Sequence, residues 1–142
     1  MEDDQVDPIR FMIGLNRGRV RWLLIGRQAL IHHGAPLQTM DYDLWVDPAP
    51  RNLTKFLKAA HAEGLSIPGS TKEIEARGFF TLHGGSLKVD VFKVKRFVNL
   101  DGESVDFASA YERRFVAKVK GDPLAAPLPS LRDLRVLKRM RD

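Results

Sequence analysis

The sequence predicts one α/β (α+β) domain, built on a small mixed β-sheet with helices packed mainly on one face. Short apolar runs rich in strand-forming residues alternate with segments that carry apolar residues at helical spacing. A Gly-Gly pair at residues 84–85 separates two strand-like runs and is typical of a hairpin turn. Since a domain commonly has about 100–200 residues, the 142 residues of the chain are expected to form a single domain over 1–142.

The elements of the first half are separated by glycine and proline. Helices are recognised by a capping residue or a proline at the start and by apolar residues three and four apart. Strands are recognised by β-branched and aromatic residues, often in alternation with polar ones. These signals predict a helix from residue 7 to residue 18, a strand over 20–25, a short helix over 28–33, a strand over 41–46 and a helix over 52–61.

The second half contains the predicted hairpin and a basic helix at its end. Residues 121–129 hold three prolines, so this segment is expected to be a loop with at most an edge strand. Ser130, with Asp133 three residues later, resembles a helix cap. The other predicted elements are a short helix capped by Ser70 or Thr71, strands over 79–82 and 86–92, a helix over 107–114 and a strand over 115–119.

Composition excludes several classes of protein. The absence of cysteine excludes a disulfide scaffold, a zinc site with thiolate ligands and a cysteine nucleophile. The N-terminal residues are acidic with no apolar run behind them, and the longest apolar runs are too short to span a bilayer. We therefore expect a cytoplasmic protein with no membrane partner.

The positive charge is concentrated at the end of the chain. Residues 111–142 hold nine basic and four acidic residues, which accounts for the whole net charge of +5. Such a segment favours an anionic partner, for example a nucleotide, an RNA or an acidic protein. It is equally consistent with a solvated helix face.

The strongest local signal for chemistry is the pair Asp41 and Asp43. Residues i and i+2 of a strand project from the same face, so the two carboxylates repel each other unless a positive charge lies between them. A divalent cation with oxygen ligands, such as Mg²⁺, meets that need. The alternative is a solvated turn in which both acids face water.

A third acid stands inside a later strand pattern. Leu87, Val89 and Val91 fall on one face of this strand, and Asp90 falls on the other with Lys88. If the strand lies beside the one that carries Asp41 and Asp43, three carboxylates converge, which suits a site for two metal ions. The alternative is that Asp90 pairs with Lys88 or another basic neighbour.

Gly26 follows the first strand directly and precedes the short helix. A glycine at this point lets the backbone approach a phosphate closely, and a helix N-terminus offers free N–H groups. A single glycine is common at the end of a strand, so this signal depends on the other two.

The order and spacing of these features resemble the DNA polymerase β-like nucleotidyltransferase superfamily, in particular its small bacterial members from toxin–antitoxin and abortive-infection systems. The motif of those proteins is similar to the segment LLIGRQALIHHGAPLQTMDYDLWVD here, followed by LKVDVF. The segment PSLRDLRVLK resembles a helix that such proteins carry late in the chain.

The resemblance implies an Mg²⁺-dependent transfer of a nucleoside monophosphate from an NTP, ATP among them, to a hydroxyl group, with release of pyrophosphate. The acceptor would be an RNA end such as that of a tRNA, a protein side chain or a small molecule. Two Mg²⁺ ions are expected, with Mn²⁺ as a substitute. The implied site comprises the catalytic and metal-binding residues Asp41, Asp43 and Asp90 and the nucleotide-binding residues Gly26, Arg27 and Lys138.

Under this resemblance Asp41 and Asp43 ligate both ions, and Asp90 completes the site and accepts the proton of the attacking hydroxyl. The chain departs from the family's pattern at Arg27, where a small residue is usual, and at Gln38, where an arginine is often found. The departure at Arg27 favours an alternative: a weakly active or degenerate component of a toxin–antitoxin pair that binds its cognate protein. A metal-dependent nuclease fits less well.

Overall fold

The computed structural model describes residues 6–26, 28–29, 41–118 and 123–138. Within these ranges the named helices are α1 (Pro8–Arg17), α2 (Pro50–Ala62), α3 (Thr71–Glu75), α4 (Phe107–Glu112) and α5 (Leu131–Lys138). The strands are β1 (Trp22–Ile25), β2 (Asp41–Val46), β3 (Phe79–Gly84), β4 (Leu87–Phe92), β5 (Arg96–Val98), β6 (Ser104–Asp106), β7 (Phe115–Lys118) and β8 (Ala125–Leu128). Of the predicted helix over 28–33, Gln28 and Ala29 have helical backbone, and the rest lies outside the described residues. None of the described helices has the length and apolar character that crossing a membrane requires.

The central element is a four-stranded sheet in the order β1-β2-β4-β3. Strand β2 pairs antiparallel with β1 and parallel with β4, and β3 pairs antiparallel with β4. Two small antiparallel ribbons, β5–β6 and β7–β8, accompany it. The predicted fold class, an α/β domain on a small mixed sheet, is confirmed.

One face of the sheet, here called the helix face, is covered by α1 and α2. The alternation in β4 buries Leu87, Val89 and Val91 on this face. Phe56 of α2 contacts Phe11 of α1 and Phe80 of β3 edge-to-face, with ring centroids 6.0 Å and 6.3 Å away. Burial of these apolar side chains stabilises the sheet against the two helices.

The β5–β6 ribbon and α4 cover one end of the opposite face. Trp45 of β2 packs edge-on against Phe97 and Phe107, at 4.8 Å and 5.3 Å between ring centroids. Its indole N–H donates to the carbonyl oxygen of Val94 at 2.8 Å. The other end of this face carries the polar residues of β2 and β4.

The turn of the β3–β4 hairpin differs from the prediction by one residue. Gly84 belongs to β3 and pairs with Leu87, so the turn residues are Gly85, at φ +58°, and Ser86. A side chain at position 84 would collide with Val6 and approach Leu65 within 3.0 Å. Gly84 is therefore explained by packing, and the turn conformation is left to Gly85.

The elements near the C-terminus follow the predictions closely. Strand β8 contains Pro127 and pairs with β7 in a two-stranded ribbon, as an edge strand tolerates. The hydroxyl of Ser130 accepts a hydrogen bond from the backbone N–H of Asp133 at 3.1 Å, which caps α5. The β5–β6 ribbon was not predicted.

Candidate active site

The strand register places Asp43 and Asp90 side by side. They are partners in the parallel pair β2–β4, and Asp41 is the partner of Lys88. Neighbouring strands lie about 4.8 Å apart, and paired residues project from the same side of the sheet. All three carboxylates therefore stand on the face opposite α1 and α2, at its polar end. This is the juxtaposition of strands on which the predicted three-acid site depends.

The backbone of Gly26 lies directly against Asp43. Ile25 is the partner of Asp43 across β1–β2, and Gly26 follows it with φ +71°. A Cβ atom at residue 26 would collide with a carboxylate oxygen of Asp43 and would lie 3.1 Å from its Cγ. Both the positive φ and the close approach require glycine at this position.

Asp90 has a protein partner on each carboxylate oxygen. The hydroxyl of Thr81 donates to Oδ1 at 2.8 Å, and Nζ of Lys88 lies 3.9 Å from Oδ2. The side chain of Asp90 is 17% exposed, whereas that of Lys88 is 49% exposed. The contact with Lys88 that the sequence left open as an alternative is thus present, but it is long.

Thr81 did not emerge from the sequence as a site residue. It is the partner of Asp90 across β3–β4, and this register depends on the position of the hairpin turn. Counting the turn at residues 85–86 instead of 84–85 would have placed Thr81 opposite Asp90. The signal is therefore present in the hairpin, displaced by one residue from the predicted turn.

The three carboxylates have the donor chemistry that Mg²⁺ prefers. In the part of the chain that the structure describes, no three His, Asp or Glu side chains form a group close enough to hold a metal ion. The acids share a face of the sheet without forming a closed ligand set. Metal binding by Asp41, Asp43 and Asp90 stays a prediction.

Of the other predicted residues, Lys138 lies on a helix that packs against a different part of the fold. Lys138 is exposed at the end of α5, and α5 packs chiefly against β5 and β6. Arg27 lies outside the described residues. The arrangement on which a functional argument can rest is therefore Gly26 with the three acids and Thr81.

Comparisons with known proteins support the fold. No protein-family profile matches the chain, and no curated protein does. A crystal structure from Thermotoga maritima, of a protein provisionally named a nucleotidyltransferase, superimposes with a TM-score of 0.63 at 18% sequence identity. The match covers 90% of this chain and 78% of that one. The chain therefore has a nucleotidyltransferase-like fold.

Proposed function

We propose that this chain transfers a nucleoside monophosphate from an NTP to a hydroxyl group and releases pyrophosphate. The observation that carries the proposal is the position of Gly26 and Asp90 on either side of Asp43. Gly26 leaves backbone without a side chain on one side of Asp43, and Asp90 presents a second carboxylate on the other. The site thus sets backbone without a side chain beside carboxylates, which are ligands of the kind that Mg²⁺ takes, within a nucleotidyltransferase-like fold.

In this proposal Asp41, Asp43 and Asp90 hold Mg²⁺, which supplies positive charge against the phosphates. Like-charged carboxylates on adjacent strands destabilise each other, the more so where water is partly excluded. Cation binding relieves this repulsion, so the folded chain has free energy to gain from a divalent ion at this position. Gly26 lies on the β1 side of the acids, and its backbone is the proposed contact of the triphosphate.

Asp90 is the proposed proton acceptor. The acceptor hydroxyl oxygen forms a bond to the α-phosphorus, the bond from that phosphorus to the β-phosphate oxygen breaks, and the hydroxyl proton passes to Asp90. Oδ1 of Asp90 accepts the hydrogen bond from Thr81. Oδ2 is therefore the oxygen that we propose as the proton acceptor. Lys88, near Oδ2, offers positive charge to a phosphate at the same edge of the site.

The first test is calorimetric titration of each NTP with and without Mg²⁺. We expect metal-dependent binding by the wild-type chain and at least tenfold weaker binding by Asp43→Asn. Glu112→Gln, which removes an exposed carboxylate at the end of α4, is the matched control and should bind as the wild type does. Equal binding by both variants, or none by the wild type at millimolar nucleotide, would overturn the proposal.

The alternative role, a degenerate toxin–antitoxin component that binds its cognate protein, predicts no nucleotide binding in this titration. Arg27→Ala then separates two meanings of the unusual residue after Gly26. If Arg27 donates to the phosphates, the variant binds nucleotide less tightly. If Arg27 crowds the site, the variant binds more tightly.

A further inference from the structure

The β3–β4 hairpin and its flanks carry a concentrated positive charge. Residues 77–96 contain five basic residues and a single acid, Asp90. The five are Arg77, Lys88, Lys93, Lys95 and Arg96. The first 110 residues together have no net charge, so their sum does not reveal this local excess. It is independent of the basic C-terminal segment.

Four of these basic residues lie either just before Phe79 or within four positions after its strand partner Phe92 along the chain. Phe79 and Phe92 are partners across β3–β4, with ring centroids 5.0 Å apart. The backbone N–H of Lys93 donates to the carbonyl oxygen of Gly78 at 2.7 Å, which continues the pairing beyond the strands. We call Arg77, Phe79, Phe92, Lys93, Lys95 and Arg96 the Phe79 surface.

Phe79 is unusually exposed for a large aromatic residue in a strand. Its exposure is 46%, whereas its neighbour Phe80 is 2% exposed and belongs to the core. Phe79 lies at the edge of the face that carries the acids, two residues from Thr81 in β3. Because Thr81 donates to Asp90, Phe79 lies two residues, about 7 Å along the strand, from the residue that contacts the proposed proton acceptor.

Acidic groups offset only part of this charge. Asp106 is the partner of Arg96 across β5–β6. The hydrogen bonds with Ser70 and, to a lesser extent, the charge of Arg77 lower the pKa of the Glu73 carboxyl. Arg77 and Lys95 are both exposed. An exposed aromatic ring flanked by basic side chains is the combination that binds single-stranded nucleic acid, because bases stack on the ring while phosphates contact the cations.

We propose that the Phe79 surface binds single-stranded nucleic acid, with a base stacked on Phe79 and the terminal hydroxyl directed to Asp90. The binding surface is argued from its own residues, and the role of that strand as acceptor rests on the proposed function. Gly26 lies on the β1 side of Asp43 and the Phe79 surface on the β3 side. The nucleotide donor and the nucleic-acid acceptor therefore approach the acids from opposite edges of the sheet.

The test is fluorescence anisotropy of a 5′-labelled 12-nucleotide RNA with the full chain, without nucleotide, at several salt concentrations. Phe79→Ala should weaken binding about fivefold or more, the loss expected for one stacked base. Phe79→Trp should bind at least as well as the wild type, since it preserves a ring. Phe115→Ala, which removes an aromatic side chain of similar exposure (50%) on β7, should leave the affinity unchanged.

A second arm tests the charges. The double variant Arg77→Gln/Lys95→Gln should lower the slope of log affinity against log salt by about 1.4, or about 0.7 for each lost phosphate contact with a single strand. The control Lys55→Gln/Lys58→Gln removes two exposed lysines of α2 and should leave the slope unchanged. Circular dichroism of each variant shows that it is folded.

Three results would overturn the proposal: no RNA binding by the wild type at 50 mM salt, equal losses in Phe79→Ala and Phe115→Ala, or duplex RNA that competes as well as single strand. The Asp43→Asn variant separates this proposal from the proposed function, because it should keep RNA affinity while it loses NTP affinity. Intact NTP binding with failed RNA arms would reject the surface alone. Intact RNA binding with no NTP binding would reject the transferase and its acceptor role alone.

Discussion

Two regions of the molecule hold carboxylates in opposite ways. In α5, Asp133 is buried and receives two hydrogen bonds from the guanidinium group of Arg113, at 3.2 Å and 3.0 Å. The hydrogen bond from Arg113 to Asp133 raises the pKa of the guanidinium above its usual value. At the polar end of the sheet, by contrast, Asp43 has a second acid, Asp90, as its strand partner.

The difference separates structural carboxylates from candidate functional ones. The charge of a buried acid is compensated inside the fold when an arginine binds both of its oxygens. Removing one partner leaves the other charge partly buried without compensation, which is unfavourable. Asp43 and Asp90 are like charges at paired positions of adjacent strands, and this juxtaposition by itself disfavours the pairing. At such a position, binding of a cation or substrate can stabilise the folded chain.

The largest effect should come from replacing one acid in each region. Asp133→Asn should lower the free energy of unfolding by about 2 kcal/mol, below the usual cost for a fully buried pair because the Arg113 side chain is 47% exposed. Asp43→Asn should cost less than Asp133→Asn, since it also removes a like charge opposite Asp90. Urea denaturation of both variants measures the contrast.

The outcome that contradicts this contrast is a clear loss of stability in Asp43→Asn with none in Asp133→Asn. Arg113→Lys refines the result. It keeps the positive charge but loses the fork geometry, so its stability should lie between those of the wild type and Asp133→Asn.

Two glycines with positive φ allow the close approach at Asp43 to be isolated. Gly26 and Gly64 have φ values of +71° and +83°, but a Cβ would meet Asp43 at residue 26 and open space at residue 64. Gly64→Ala should cost about 1 kcal/mol through backbone strain alone. Gly26→Ala should cost at least as much and should also weaken NTP binding tenfold or more. If Gly64→Ala weakens NTP binding equally, the loss is a general effect of strain.

The sequence predicted most of what local pattern determines. Strand β2 has the predicted bounds, and the alternation in β4 placed Asp90 on the face away from the core. The glycine after β1 was expected to let the backbone approach a phosphate, whereas the neighbour that the structure shows is Asp43. These features depend on residues close together in the chain.

The features that the sequence left open or missed depend on distant contacts or on very short segments. The parallel pairing of Asp43 with Asp90 joins residues 47 positions apart, and no local pattern encodes that register. The β5–β6 strands have three residues each, too few to show a period. Their connection is held by the side chain of Asn99, whose Oδ1 accepts from the N–H groups of Asp101 and Glu103. Side-chain turns of this kind are hard to recognise without the structure.

Thr81→Val tests whether a hydrogen bond in the candidate site serves chemistry more than stability. The variant keeps the shape of the side chain and removes the hydroxyl that donates to Asp90. We expect NTP affinity to stay within twofold and turnover with an acceptor to fall by about three- to tenfold, because Oδ1 is no longer held. Thr54→Val, which removes the bond from an exposed hydroxyl to the carbonyl of Pro50, is the control. Equal turnover in the two variants would show that Thr81 does not position Asp90.

The smallest effect concerns a structural acid outside both regions. Asp106 caps α4, and the hydrogen bond with Ser109 is the main cause that holds its pKa below the usual value. A carboxyl with a lowered folded-state pKa stabilises the fold above its unfolded pKa, near 3.9, and this contribution disappears as the pH falls through the folded-state value. The wild type should therefore be more stable than Asp106→Asn at neutral pH, and the difference should shrink below about pH 4. Urea midpoints from pH 2 to 7 measure it, with Asp101→Asn as the control. A difference that stays constant to pH 2 would show that Asp106 acts through its shape as a cap and not through its charge.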